Sequence, residues 1–192
     1  MSSEDSQAPA GAIFSRNTSA LSISEVASAT KREDRFGGFH AFNPVPQMKL
    51  IEIVRTSQTS PETHETLVEV AKRMGKVPVS CKDSPGFIVN RRLVPYQLEA
   101  LRLVERGVAS PEDVDTAMKL GAGYPMGPFE LADLVGLDTM EHIAQGWRES
   151  VAGTEDMPAD LVKESPMLKQ LISEGRLGRK TPEKGGFYQY KK

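Results

Sequence analysis

Residues 83–91 read DSPGFIVNR, and the character of the sequence changes at this stretch. Before it, short apolar segments alternate with helical patterns, which is typical of one edge of an α/β sheet. After it, the patterns are helical only. We therefore predict an α/β part at residues 11–82 and an all-α part at residues 83–192, preceded by a disordered lead at residues 1–10.

Local signals predict the elements of the α/β part. Four short apolar segments predict strands, at residues 11–14, 37–42, 49–55 and 77–81. Ser22 and Glu25 form a capping box that opens a short helix. Ser60 and Pro61 open a longer helix, which Gly75 ends.

The all-α part is divided by similar signals. One long helix is predicted from about residue 87 to 106, with a kink at Pro95. A second helix opens at Ser110 and is closed by Gly121. Two more cover residues 128–135 and 138–150, the latter with Asp138 in the cap position. Ser165 caps the last helix.

Composition excludes several classes of protein. The 192 residues are 39% hydrophobic and 26% charged, with a formal net charge of −2, which argues against a nucleic-acid partner. No apolar run approaches the ~20 residues needed to cross a membrane. The single cysteine, Cys81, excludes an internal disulfide and indicates a reducing compartment. Residues 1–10 have neither a secretory nor a transit-peptide pattern, so translation as given predicts a cytoplasmic protein.

His40 is the first candidate for chemistry. It lies near the end of a predicted strand, before a proline-rich turn at residues 43–46 that favours extended backbone. Glu52 lies twelve residues on, in the next predicted strand, so adjacent strands can bring the two side chains into hydrogen-bond reach. A carboxylate bound to one imidazole nitrogen fixes the tautomer and leaves the other as a base. The spacing alone is also compatible with a structural histidine.

Two further polar positions are candidates, each with an ordinary structural alternative. Asn90 lies near the start of the long predicted helix and can hold a ligand or satisfy backbone groups. Asn17 follows a predicted strand, where turn chemistry explains it equally well. The glycine-rich residues 121–127 follow a helix and have the wrong spacing for a phosphate loop. No Gly-x-Gly-x-x-Gly loop occurs in the 192 residues.

Five motifs in order resemble the L-3-hydroxyacyl-CoA dehydrogenase family, in particular its single-function, short-chain type. The resemblance runs from about Gly11 to Tyr190. It is carried by these segments: Asn17-Thr18-Ser19, Phe39-His40 with Asn43-Pro44-Val45-Pro46, Glu52, residues 83–91 with Pro95-Tyr96, and residues 120–130.

The resemblance implies roles for the catalytic residues. His40 matches the general base that takes the hydroxyl proton as hydride leaves C3 of the substrate for the nicotinamide. Glu52 matches its carboxylate partner. Ser19 and Asn90 match the side chains that hold the reacting oxygens of the substrate, and Ser19 also lies near the cofactor in the family.

Cofactor contacts follow in the same way. Asn43 matches a contact on the nicotinamide side, and Lys180 matches a lysine of the helical domain that approaches NAD. Asn17, in the same motif as Ser19, is a further expected cofactor contact. No metal site is expected.

The resemblance also implies an architecture and a biology. Residues 11–82 are expected to be the C-terminal remnant of a Rossmann-like NAD-binding domain. Residues 83–192 are expected to form a helical domain that binds an acyl-CoA thioester and makes a homodimer. The implied function is NAD-dependent oxidation of L-3-hydroxyacyl-CoA in mitochondrial β-oxidation. For the dimer we expect an exposed apolar face from these residues: Met118, Leu120, Phe129, Leu131, Leu134, Leu137 and Ile143.

Two alternatives remain at this point. The chain can be a non-catalytic dimerising or acyl-CoA-binding fragment, because no phosphate-binding loop is present to position NAD. It can also belong to another dehydrogenase family with a helical second domain, although the set of His40, Glu52 and Asn90 argues against this. Because of the missing loop, we expect these 192 residues alone to bind NAD poorly and to turn over near background.

Overall fold

The structure, a computed structural model, describes residues 7–18 and 22–190 of the chain. It consists of two compact units that divide between Arg91 and Arg92. The first unit contains a sheet with helices, and the second is helical. The fold is therefore α/β followed by all-α. Residues 1–6 of the expected N-terminal lead lie outside the described part.

The sheet of the first unit has four strands in the order β1-β2-β3-β4. The strands β1 and β2 are parallel, β2 and β3 antiparallel, and β3 and β4 parallel. The predicted strand at residues 11–14 is wrong in position, because the N–H of Ala12 bonds to the carbonyl of Pro9 in a turn. The strands are β1 (Phe14–Arg16), β2 (Phe36–Ala41), β3 (Leu50–Arg55) and β4 (Val77–Lys82).

Two helices of the first unit begin as their caps predict. Helix α1 (Ile23–Ser28) starts after Ser22, whose hydroxyl accepts from the N–H of Glu25. Helix α2 (Pro61–Arg73) starts after Ser60, whose hydroxyl accepts from the N–H of Thr63. Each hydroxyl satisfies one of the N–H groups that a helix start leaves unpaired.

Alternation of side chains along the strands gives the sheet two different faces. One face packs against α2 through Ile51 and Ile53. The other packs against α1 through Phe36 and Val54, and it also carries His40 and Glu52. The candidate pair therefore lies on the face covered by α1.

The helical unit contains most of α3 (Val89–Glu105), which begins before the unit boundary, and four further helices. These are α4 (Pro111–Ala122), α5 (Pro128–Val135), α6 (Leu137–Ser150) and α7 (Pro166–Ser173). Their apolar faces form one core, which includes the following fully buried residues: Leu98, Leu101, Phe129, Leu137, Met140, Ala144, Met157, Val162 and Leu168.

Three predicted helix ends are wrong. Helix α3 starts at Val89 rather than at residue 87, because Phe87 has a left-handed φ of 50° that cannot continue a helix. Helix α4 passes through Gly121 and is closed by Gly123, with φ of 71°. The N-cap of α6 is Gly136, so Asp138 lies inside the first turn instead of capping it.

The expected apolar face is only partly exposed. Phe129 and Leu137 lie in the core. Leu120 is 83% exposed and Leu134 is 46% exposed. No helix in the described ranges is both long enough and apolar enough to span a bilayer.

Candidate active site

His40 and Glu52 form a buried pair across neighbouring strands. The two residues are direct partners in the antiparallel register of β2 and β3. Nδ1 of His40 lies 2.7 Å from Oε2 of Glu52, and the residues are 5% and 0% exposed. The predicted contact between them is therefore confirmed. Since a carboxylate oxygen accepts, Nδ1 is the donor, and the neutral ring has Nε2 as its basic nitrogen.

The second oxygen of Glu52 binds the start of α3. Oε1 accepts from the N–H of Ile88 at 3.1 Å and from the N–H of Val89 at 2.9 Å. Both donors would otherwise be among the unpaired N–H groups of a helix start. Asn90 is the next residue along the helix. Within the described part of the chain, the Asn90 side chain has no hydrogen-bond partner.

Two aromatic rings flank the imidazole of His40. The ring centroid of Phe42 lies 4.6 Å away, and that of Phe87 lies 5.4 Å away in an edge-on arrangement. Side chains two positions apart in extended backbone lie on the same side, so the contact of Phe42 with His40 could be expected from the sequence. The contact from Phe87 depends on a long-range turn and had no such signal. Together the rings limit the access of water to the buried pair.

The other predicted site residues of the first unit are Asn17, Asn43 and Ser19. Asn17 binds β2 directly, because its Oδ1 accepts from the N–H of Ala41 at 3.0 Å. Asn43 is exposed, three residues after His40, and precedes a cis peptide bond to Pro44. Ser19 lies outside the described residues.

Two residues that sequence reasoning missed hold the surrounding loops. Nζ of Lys76 donates to the carbonyls of Val45 at 2.6 Å and Met48 at 2.8 Å, and so holds the turn that follows Asn43. Lys76 follows a helix end, where a lysine has many ordinary uses, and no local pattern distinguishes it.

Asp83 is the second such residue. Its Oδ2 accepts from the hydroxyl of Ser22 at 2.8 Å and from the N–H and hydroxyl of Ser24 at 2.8 and 2.7 Å. It therefore joins the end of β4 to the start of α1. Asp83 is the first residue of the stretch 83–91, and this position was the signal in the sequence that could have identified it.

Lys180, in the helical unit, is held by α6. Its Nζ donates to Oδ1 of Asp138 at 2.8 Å and to the hydroxyl of Thr139 at 2.6 Å. The hydrogen bond from Lys180 holds the pKa of the Asp138 carboxyl below its usual range. Asp138 therefore serves as the ion-pair partner of Lys180.

Two buried aspartates, also missed, bind the C-terminal segment of the helical unit. Asp115 accepts from the N–H groups of Phe129 and Glu130 at the start of α5, at 2.8 and 2.9 Å, and from the hydroxyl of Tyr188. Asp133 accepts from the N–H of Phe187 and Tyr188, at 2.9 and 3.0 Å, and from a second hydroxyl. That hydroxyl belongs to Tyr190, at 2.9 Å.

An open cavity of about 340 Å³ lies beside these tyrosines. It contains Lys119, paired with Glu130 at 2.5 Å, and Arg179, which stacks on the ring of Tyr190. Three carboxylates line it, those of Glu112, Asp115 and Glu130, against these two cations. Among the residues that the structure describes, no cluster of His, Cys, Asp and Glu could hold a metal ion.

Family models match almost the whole chain. The model of the 3-hydroxyacyl-CoA dehydrogenase C-terminal domain matches residues 86–190. The chain belongs to the 3-hydroxyacyl-CoA dehydrogenase family. The model of the NAD binding domain of 3-hydroxyacyl-CoA dehydrogenase matches residues 2–84.

Curated relatives agree with this membership. The chain is 59% identical over 179 residues to human "Hydroxyacyl-coenzyme A dehydrogenase, mitochondrial", a match that covers 93% of this chain and 55% of the human protein. It is 46% identical over 180 residues to the "3-hydroxybutyryl-CoA dehydrogenase" of Clostridioides difficile, covering 94% of this chain and 61% of that protein. The chain thus spans little more than half the length of these 3-hydroxyacyl-CoA dehydrogenases.

A solved structure of the family has the same fold. The (S)-3-hydroxybutyryl-CoA dehydrogenase PaaH1 of Ralstonia eutropha superposes with a TM-score of 0.89 at 41% identity. The match covers 98% of this chain and 64% of that one. The expected Rossmann-like sheet followed by a helical domain is therefore confirmed.

Proposed function

We propose that this chain carries the proton-transfer residues of an enzyme that oxidises L-3-hydroxyacyl-CoA to 3-oxoacyl-CoA with NAD, in fatty-acid β-oxidation. The observation that carries the proposal is the Glu52 carboxylate, which binds both His40 and the start of the helix that bears Asn90. Membership of the 3-hydroxyacyl-CoA dehydrogenase family supports the choice of reaction.

The proton chemistry follows from the tautomer of His40. Nδ1–H is bound to Glu52, so Nε2 is the nitrogen that accepts the proton of the substrate's C3 hydroxyl. Glu52 then stabilises the resulting imidazolium across a bond of 2.7 Å. As the O–H bond breaks, the C3–H bond releases hydride and a carbonyl forms. Asn90 and Ser19 are proposed to hold the reacting oxygens.

NAD, when bound, supplies the hydride acceptor. The exposed side chains of Asn43 and Asn17 beside the His40 strand fit contacts with such a group. Lys180 is a further proposed contact. Its ammonium would bind NAD either in addition to Asp138 and Thr139 or in place of them. The 192 residues contain no Gly-x-Gly-x-x-Gly loop for the pyrophosphate, so the fit is partial.

The two parts take different roles in this proposal. Residues 11–82 contribute to the NAD site, and residues 83–192 bind the acyl-CoA thioester and form a homodimer. The exposed apolar side chains of Leu120 and Leu134 support the dimer. The human and other mammalian relatives are named mitochondrial, which supports a mitochondrial matrix location.

The alternative is a non-catalytic fragment that dimerises or binds acyl-CoA. The observation that favours it is the absence of the glycine-rich loop from these 192 residues, because orienting the reactants supplies much of an enzyme's rate. On either reading, the 192 residues alone are expected to oxidise NADH with acetoacetyl-CoA at or near background.

A fusion tests whether the residues of this chain carry out the chemistry once a phosphate-binding loop is supplied. The part of the human relative outside the match would be joined to this chain in its native order, and NADH oxidation by acetoacetyl-CoA measured. We expect turnover that His40→Ala lowers by ~10²–10⁴-fold, the range of general acid–base catalysis. The matched control is His142→Ala, at an exposed helix position, and this substitution should leave turnover nearly unchanged. A folded fusion that binds NADH without turnover would support the fragment, and turnover indifferent to His40→Ala would contradict the proposed mechanism.

A further inference from the structure

We propose that Glu52 is a positioning residue for Asn90, in addition to being the partner of His40. The inference rests on the proposed function for the roles of His40 and Asn90. It concerns how one buried carboxylate fixes the place of both side chains.

The two oxygens of Glu52 are divided between two parts of the site. Oε2 faces the imidazole of His40, and Oε1 faces the N–H groups of Ile88 and Val89. The residue is fully buried, so water does not compete for these bonds. A carboxylate that makes one set of bonds thereby has its orientation fixed for the other.

The start of α3 needs an acceptor from elsewhere in the chain. The first turn of this helix contains no acidic side chain. A negative charge near a helix N-terminus is stabilising, because it faces the unpaired N–H groups and the positive end of the helix dipole. Glu52 supplies this charge from β3, 37 residues before Val89.

The backbone turns sharply before the helix, so the bonds to Glu52 are important for the position of the helix start. Gly86 and Phe87 both have positive φ, of 76° and 50°. Local bonds support the turn, from the N–H of Phe87 to the carbonyl of Ser84 and from the N–H of Arg91 to that of Gly86. These bonds fix the turn's internal shape, whereas the bonds to Glu52 fix its position on the sheet.

Asn90 is one peptide unit from the Val89 N–H that Glu52 holds. Its Cα is therefore placed relative to β3, and through the same carboxylate relative to the imidazole of His40. In the proposed reaction, the base and the oxygen-holding amide act on one substrate. A shared carboxylate keeps their separation constant while ligands enter and leave.

The test uses amide hydrogen exchange of the full 192-residue chain, followed by NMR. Glu52→Ala removes the acceptor, and we expect exchange at Ile88 and Val89 to rise about tenfold or more, as for loss of a bond to a charged group. The side-chain amide resonances of Asn90 should shift as well. Glu52→Gln retains an acceptor oxygen and should restore most of the protection. Amides of α2, such as that of Ala71, serve as the internal reference.

His40→Ala is the decisive control. It removes the other partner of Glu52 but leaves Oε1 in place, so Ile88 and Val89 should keep most of their protection. Equal loss of protection in His40→Ala and Glu52→Ala would overturn the proposal, as would unchanged exchange in Glu52→Ala. If Glu52→Ala does not fold, Glu52→Asp replaces it, because the shorter side chain draws the carboxylate back toward β3, and exchange at Ile88 and Val89 should again rise; unchanged exchange in Glu52→Asp would overturn the proposal. None of these readouts depends on turnover, so they fail independently of the proposed function.

Discussion

The hydroxyl of Tyr188 donates a hydrogen bond of 2.7 Å to Oδ2 of Asp115, 73 residues earlier in the chain. The same carboxylate binds two N–H groups at the start of α5. One buried aspartate thus connects α4, α5 and the C-terminal segment. The connection lies entirely within the helical unit, so its contribution can be measured as the stability of that unit.

Removal of this carboxylate should destabilise the helical unit strongly. Asp115→Ala leaves three donors unpaired, one buried and two part-buried, and we expect a loss of about 3 kcal/mol in the free energy of unfolding. Tyr188→Phe removes one donor only and should cost about 1 kcal/mol. Urea denaturation followed by circular dichroism measures both. Asp156→Ala, at an exposed position, is the control and should stay within about 0.5 kcal/mol of the unchanged chain.

Stability should fall at alkaline pH because of the C-terminal tyrosines. Burial and the hydrogen bond to Asp133 raise the pKa of Tyr190 from 10.0 to about 12, and burial and Asp115 raise the pKa of Tyr188. A raised folded-state pKa means stability that is complete below pH 10 and is lost as the pH rises through the folded value. Urea unfolding at about pH 9 and about pH 11 should show the fall. Tyr190→Phe should make the fall of stability with pH less steep. An equally steep fall in that variant would contradict this explanation.

At position 87, glycine should destabilise the fold less than alanine does, which is the reverse of the usual order. Phe87 is buried, so both Phe87→Ala and Phe87→Gly should destabilise by several kcal/mol, in the range of roughly 3–5 kcal/mol for alanine. Because φ is 50°, glycine should be the less harmful by about 1 kcal/mol. Val70 in α2 is the control, where glycine should be worse than alanine by about 1 kcal/mol. Glycine as harmful as alanine at position 87 would argue against the left-handed conformation.

Cys81 should react slowly and report on Glu52. Burial first, and then the negative charges of Glu52 and Asp83, raise the pKa of the thiol from 9.0 to about 11. A thiol reagent should therefore modify the folded chain at least about tenfold more slowly than the chain in urea. Glu52→Gln removes one of the charges and should increase the rate in the folded chain. A rate unaffected by Glu52→Gln would show that the charge of Glu52 does not contribute to the protection of the thiol.

The chain should form a dimer through the helical unit. Light scattering at micromolar concentration is expected to give twice the mass of one chain, and Leu120→Glu should shift it toward the monomer, because the charge would be buried in the contact. Met74→Glu alters an apolar side chain of the first unit that is 54% exposed, and it should leave the mass unchanged. A monomer before any substitution would contradict the expectation.

Features that depend on neighbouring residues were predictable from the sequence. The starts of α1, α2, α4 and α7 follow serine caps, and the caps at Ser60, Ser110 and Ser165 precede a proline. The contact of His40 with Glu52 was also predictable, since two adjacent strands with a short connection leave few possible registers.

Features that depend on distant partners were not predictable. The start of α3 was placed too early because its apolar pattern runs through Phe87, which has a left-handed conformation, and because the acceptor for its first N–H groups, Glu52, is 37 residues away from Val89. The local pattern predicted Asp138 as a cap, but the helix begins at Leu137 and the Asp138 side chain binds Lys180, 42 residues away. Asp133 has its tyrosine partner 57 residues away. The periodicity of a short stretch of sequence carries no information about such pairs.

The stretch between Asp83 and Ile88 is attached at both ends. Asp83 binds the start of α1, and the N–H of Ile88 binds Glu52 on β3. The number of residues between these attachments is therefore set by geometry. Inserting or deleting one residue there would break one attachment or rotate the helix start by about 100°. Members of the family should consequently differ in length in other loops and keep this segment at one length.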